Sequence, residues 1–208
     1  MKKILLASVI VLGAVSQVAL AAGDAAAGKT KAAVCAACHG ADGNSAAPTF
    51  PKLAGQGERY LMKQIHDIKS KARSVPAMAG LTDNLSDQDI ADIAAYFSSQ
   101  TPSVDQAKKD TLAKGEAIYR AGIADRGIPA CMACHSPTGS GNALAGFPHL
   151  GGQHAEYIAT QLKAYRAAAD GDASGRSNDG DNKPMRTVAA HLTDSEIAAL
   201  ANYISGLH

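Results

Sequence analysis

The chain has 208 residues, with 20 Lys and Arg against 19 Asp and Glu, four Cys, three Phe and no Trp. A balance this even, without a basic stripe, excludes a nucleic-acid binder and argues against strong binding to an anionic membrane surface. So few large side chains would leave two small domains with thin cores, so something other than side chains is expected to fill them.

The first residues read as an address. Lys2 and Lys3 precede an apolar run from Ile4 to Val15, broken only by Ser8 and Gly13, and Ala19-Leu20-Ala21 places small residues where a signal peptidase reads. The run is short for a bilayer span, no stop-transfer charges follow it, and no cysteine sits at the cleavage site to take a lipid. Residues 1–21 are expected to be a cleaved signal peptide, and the mature chain to start at Ala22. Export follows. Without Lys2 and Lys3 the count is 18 basic against 19 acidic residues, a net of −1.

A short helix over about Ala25 to Ala36 leads into Cys35-Ala36-Ala37-Cys38-His39. A loop with Phe50-Pro51-Lys52-Leu53 follows, then a helix from about Glu58 to Ala72 and a loop bearing Met78. The closing helix starts at a capping box, Ser86 with Asp89, and carries Ile90, Ile93, Ala94 and Phe97 at helical spacing. Thr101-Pro102-Ser103 ends it, and residues 102–110 read as a linker. The same order then repeats. It comprises a helix over about Thr111 to Ile123, Cys131-Met132-Ala133-Cys134-His135, Phe147-Pro148-His149-Leu150, a helix over about Ala155 to Ala168, Met185, and a closing helix capped by Thr193 with Glu196.

The register of this repeat is tight. The cysteine motifs are offset by 96; Gln56 and Gln153, Tyr60 and Tyr157, and Gln64 and Gln161 by 97; Met78 and Met185, Leu85 and Leu192, and Tyr96 and Tyr203 by 107. The ten-residue step is expected in an exposed loop within Ala167 to Asn182, which is rich in Asp, Gly, Ser and Asn. No segment alternates like a strand. The expectation is an all-α chain of two tandem domains, 22–101 and 111–208, related by internal duplication.

Four cysteines in an exported chain would ordinarily suggest two disulfides. Here they form two C-x-x-C pairs, each followed directly by His, which is the attachment signature of haem c. The thiols of Cys35 and Cys38, and of Cys131 and Cys134, would bond the porphyrin, with His39 and His135 held beneath the two irons. A four-cysteine zinc site would need two pairs from separate repeats to converge, and a redox dithiol expects a strand that neither half offers. Two covalently bound haems would also supply the missing core.

An electron carrier needs a second axial ligand on each iron. Met132 is confined within its motif, and Met62 has Ala159 as its counterpart, so Met78 and Met185 are the candidates. A thioether is soft and favours the ferrous state. Of the histidines, His66, His149, His154 and His191 have no histidine at the equivalent position of the other half, and His208 is terminal. Pro51 and Pro148 could accept a bond from the proximal imidazoles through their carbonyls. Arg73 and Arg186 lie near the methionine loops as candidate partners of haem propionates.

With these motifs the chain resembles class I c-type cytochromes twice over, and as a whole it is similar to the dihaem cytochrome c4 family. The resemblance implies domains packed through their haem-edge faces, with propionates meeting near the interface. It implies a periplasmic protein, not an enzyme, that relays single electrons from a quinol-oxidising bc1-type complex to a terminal oxidase, often of the cbb3 type. A monomer is expected, with peripheral membrane association left open. The rival readings are a dihaem peroxidase or thiosulfate-oxidising enzyme, which would need one open iron position, and a dedicated electron-entry subunit of a larger complex.

Overall fold

The computed structural model describes residues 22–208, so the expected signal peptide lies outside the described residues. Helices in chain order are α1 (Ala25–Lys31), α2 (Ala36–His39), α3 (Glu58–Lys69), α4 (Asp87–Ser98), α5 (Lys109–Ala121), α6 (Met132–His135), α7 (Ala155–Ala169), α8 (Pro184–Ala190) and α9 (Asp194–Ser205). Among the described residues β pairing is limited to two isolated bridges, Ile123 with Ile128 and Asn142 with Phe147. The all-α expectation is met. The first helix ends sooner than expected, at Lys31, and a 3-10 turn at Ala32–Val34 carries the chain into the cysteine motif.

Each half is built on a crossing of its first and last long helices: α1 against α4, and α5 against α9. Glycine makes the crossing close. A Cβ on Gly28 would lie 1.9 Å from the Asp92 carbonyl oxygen, and one on Gly115 would lie 2.2 Å from that of Ala199. Only a residue without a side chain lets the backbones approach so far. Gly115 follows Gly28 by 87 positions whereas Cys131 follows Cys35 by 96, so the second half carries nine extra residues between its first helix and its motif. That excursion holds the 3-10 turn Ala124–Arg126, from which Arg126 pairs with Glu196 at the start of α9.

The closing helices begin at complete capping boxes: Ser86 and Thr193 accept from the amides of Asp89 and Glu196, whose carboxylates bind back. Their inner faces bury Ile90, Ile93, Ala94 and Phe97 in one half and Ile197, Leu200, Ala201 and Ile204 in the other. At about 2 kcal/mol for each large apolar side chain, these stripes supply much of each domain's own adhesion. A basic residue in the last turn of α3 and of α7 ties each methionine segment to this frame. Lys69 donates to the Leu85 carbonyl, and its repeat counterpart Arg166 donates to the Leu192 carbonyl at 2.7 Å. The N-terminal core is the thinner, with Ala32, Leu61, Ile93, Ala94, Tyr96 and Phe97 as its fully buried members.

One expectation needs correction. The segment Ala167 to Asn182 is not simply an exposed loop. Arg176 is only 9% exposed, and it reaches across to the other domain, donating to the Tyr60 hydroxyl at 3.1 Å and to Gln64 Oε1 at 2.9 Å. Asn178 likewise donates to Gln64 and Asp67, and its carbonyl accepts from Lys63. Residues 169–174 and 180–182 are exposed as expected, while Arg176 and Asn178 find neutral and charged partners in α3.

Candidate haem sites

Each cysteine motif occupies one helical turn. Cys35 caps α2 and Cys131 caps α6, and the histidine amide donates to the carbonyl of the first cysteine at 3.0 Å in both halves. Residues at i, i+3 and i+4 then share one side of the turn, so two sulfurs and an imidazole are presented together. His39 and His135 are buried at 7% and 6% exposure.

The orientation of both rings is fixed from behind. His39 Nδ1 donates to the Pro51 carbonyl at 2.9 Å, and His135 Nδ1 to the Pro148 carbonyl at 3.1 Å. A carbonyl only accepts, so the proton sits on Nδ1 and Nε2 keeps its lone pair. Burial lowers the pKa of both imidazoles, against a smaller opposing effect of the carbonyl bond, which favours the neutral form that iron takes. Among the described residues neither Nε2 has a hydrogen-bond partner. Phe50 and Phe147 stand at equivalent places, with ring centroids 6.2 and 6.3 Å from the imidazoles. Two buried, oriented imidazoles with free nitrogens beside paired thiols fit covalently held haem.

The thiols do not fit the rival chemistries. Burial pushes Cys35 up and Cys131 up to about 11, so as free groups both would stay protonated rather than act as thiolates. The two pairs belong to separate domains, and no three His, Cys, Asp or Glu converge on a metal-sized site among the described residues.

Met78 ends the 3-10 turn Pro76–Met78, and Met185 is the second residue of α8, behind Pro184. Both are half-buried. Met185 packs on the C-terminal core. They therefore sit between α3 and α4 and between α7 and α9 in different local structure: the turn of one half is replaced by a short helix in the other. Met62 and Met132 pack against the two cores.

Of the two arginines singled out, only Arg73 has no carboxylate partner among the described residues. Arg186 is committed to the Asp179 carboxylate at 2.6 Å. Arg73 donates to Gln64 Oε1 at 2.9 Å in its own domain, and to the Tyr157 hydroxyl at 2.9 Å and Gln161 Oε1 at 3.1 Å in the other. Its true partner is Arg176, which makes the mirrored set with Gln161, Tyr60 and Gln64. Arg176 escaped the repeat because the insertion moved it out of register. The tyrosine and glutamine pairs were visible as equivalents, but nothing in sequence said they face one another. His154 is buried at this interface, with Nε2 beside the Ser45 carbonyl at 2.9 Å.

The family model described as "Cytochrome c" matches residues 25–101 and 112–208. The chain is 59% identical over its whole length, and the whole of the relative's, to "Cytochrome c4" of Pseudomonas aeruginosa. The crystal structure of reduced recombinant cytochrome c4 from Pseudomonas stutzeri superposes with a TM-score of 0.85 at 56% identity, covering 90% of this chain and all of that one. A more distant relative, 38% identical over 85% of this chain and 80% of its own, is the "Thiosulfate dehydrogenase electron acceptor" of Stutzerimonas stutzeri. With one haem c bonded through Cys35 and Cys38 and another through Cys131 and Cys134, the chain belongs to the cytochrome c4 family of dihaem electron-transfer proteins.

Proposed function

We propose that the protein relays single electrons in the periplasm, from a quinol-oxidising bc1-type complex to a terminal oxidase of the cbb3 type or similar, with no substrate chemistry of its own. When bound, each haem supplies the one-electron couple. His39 and Met78 would hold one iron, and His135 and Met185 the other, closing both to exogenous ligands. The domains are taken as 22–101 and 111–208, joined by 102–110.

The observation that carries this reading is the pair Arg73 and Arg176. Each guanidinium is permanently charged, and among the described residues both have only neutral partners. Burying such charges is unfavourable unless an anion is near. Haem propionates are anions, and two sets brought to one interface would put the cofactors close enough for internal electron exchange.

The relative acting as electron acceptor of a thiosulfate dehydrogenase supports a second donor class feeding the same sites. Stopped-flow reduction of the oxidised protein by each purified donor tests both. Fast reduction by the bc1-type complex and reoxidation by the oxidase are expected. Reduction by the dehydrogenase alone would replace the proposed donor, and steady-state consumption of thiosulfate or peroxide by the protein itself would overturn the carrier role.

A further inference from the structure

Gln56 and Gln153 make the same pair of bonds in opposite directions across the interface. Gln153 Oε1 accepts from the Lys52 amide at 2.9 Å, and its Nε2 donates to the Lys52 carbonyl at 2.9 Å. Gln56 Oε1 accepts from the His149 amide at 2.8 Å, and its Nε2 donates to the His149 carbonyl at 3.0 Å. Lys52 and His149 are themselves equivalent in the repeat, 97 positions apart. Each Oε1 also accepts from the amide that follows its own residue, Gly57 at 3.0 Å and His154 at 3.1 Å. Two amide donors converging on one atom fix it as the oxygen. Both glutamines are buried.

The peptide units involved are the ones behind the haem histidines. The Lys52 N–H and the Pro51 carbonyl belong to one peptide group, and that carbonyl accepts from His39 Nδ1. The His149 N–H and the Pro148 carbonyl form the other, and that carbonyl accepts from His135 Nδ1. A continuous chain thus runs from each imidazole, through one peptide group, to a glutamine oxygen of the opposite domain. Hydrogen bonds in such a chain polarise one another. An acceptor on the N–H side raises electron density at the carbonyl, which draws harder on the Nδ1 proton and makes Nε2 a stronger donor.

We infer that Gln153 and Gln56 are positioning residues that strengthen the proximal histidine of the opposite domain and so lower the reduction potential of that domain's haem. The inference rests on His39 and His135 being iron ligands, as proposed above. It makes the domain interface part of each redox centre: separating the domains would raise both potentials.

The test uses the full holoprotein with Gln153→Met and Gln56→Met, which keep side-chain length and remove both bonds. Redox titration followed by the assigned haem-methyl resonances reads each haem separately, and the Nδ1 proton of the reduced protein reports the histidine bond. Gln153→Met is expected to raise the potential of the haem on Cys35 and Cys38 more than that of the other, and to move the His39 Nδ1 proton upfield. Gln56→Met should do the reverse. Gln153→Glu keeps an acceptor oxygen and should move the same haem downward, a sign that loosened packing does not produce. Equal shifts at both haems, shifts confined to the mutated domain, or an unmoved Nδ1 proton would overturn the inference. The wild-type spectrum separates this from the ligand assignment: imidazole protons without the ring-current shift of an iron ligand would sink that assignment first.

Discussion

At the scale of single residues, the chemistry of each site sits in one helical turn plus one carbonyl. The cysteines and histidines were legible because covalent attachment demands a fixed spacing, and the acceptor prolines because they recur at equivalent places in both halves. Met78 and Met185 were legible as a pair, although their local structures differ. Arg176 was not, because its role depends on a tyrosine and a glutamine more than 110 positions away. Under the proposed ligation, Met78→Ala should leave both haems attached but open one iron. The reduced variant is then expected to bind carbon monoxide at one haem per chain, and the potential of that haem to fall as the soft ligand is lost. Carbon monoxide difference spectra check this; a variant that binds none would remove Met78 from the iron.

At the scale of elements, helix α1 has seven residues and would not persist alone. Four contacts hold it: the Gly28 crossing, Lys31 on Asp89 at 2.7 Å and on Asp92, and the Asp24 amide on Asp92 at 2.9 Å. Gly28→Ala would push a methyl group into the Asp92 carbonyl and should destabilise the N-terminal domain by about 3 kcal/mol, read as a lowered Tm of the holoprotein. The Asp24 amide, then Lys31 and Gln88, hold the Asp92 carboxyl down at about 2. A depressed carboxylate stabilises the fold above its unfolded pKa of about 4, and that contribution is lost as pH falls from there toward about 2. Protection of the α1 amides, with the intrinsic exchange rate divided out, should therefore fall over that acid window, and Asp92→Asn should reduce the change, leaving the part that the Lys31–Asp89 pair contributes. The equivalent position in the other half is Ala199, so α5 should not share it through this contact. Helix positions and capping boxes were readable because they follow local periodicity. The inserted segment was legible as an exposed loop, but not that Arg176 and Asn178 within it turn to the second domain, because their polarity looks the same in either setting.

At the scale of the whole molecule, the two halves meet through copies of one residue set. Gln56 answers Gln153, Tyr60 answers Tyr157, Gln64 answers Gln161, and Arg73 answers Arg176. Duplication gives the two-fold character, and the insertion breaks it by lending one arginine from a different place in the chain. Arg176→Gln would remove a cation that opposes oxidation of nearby iron, so both potentials should fall, in contrast to the rise expected from the glutamine variants. Resolved redox titration of the variant checks that sign; unchanged potentials would place Arg176 away from the cofactors.

Under the proposed ligation each iron is closed by a histidine and a methionine of its own domain. Near-infrared magnetic circular dichroism of the ferric holoprotein measures it directly. Two low-spin histidine–methionine haems per chain, with no other species, are expected. A bis-histidine or high-spin signature at either haem would contradict it.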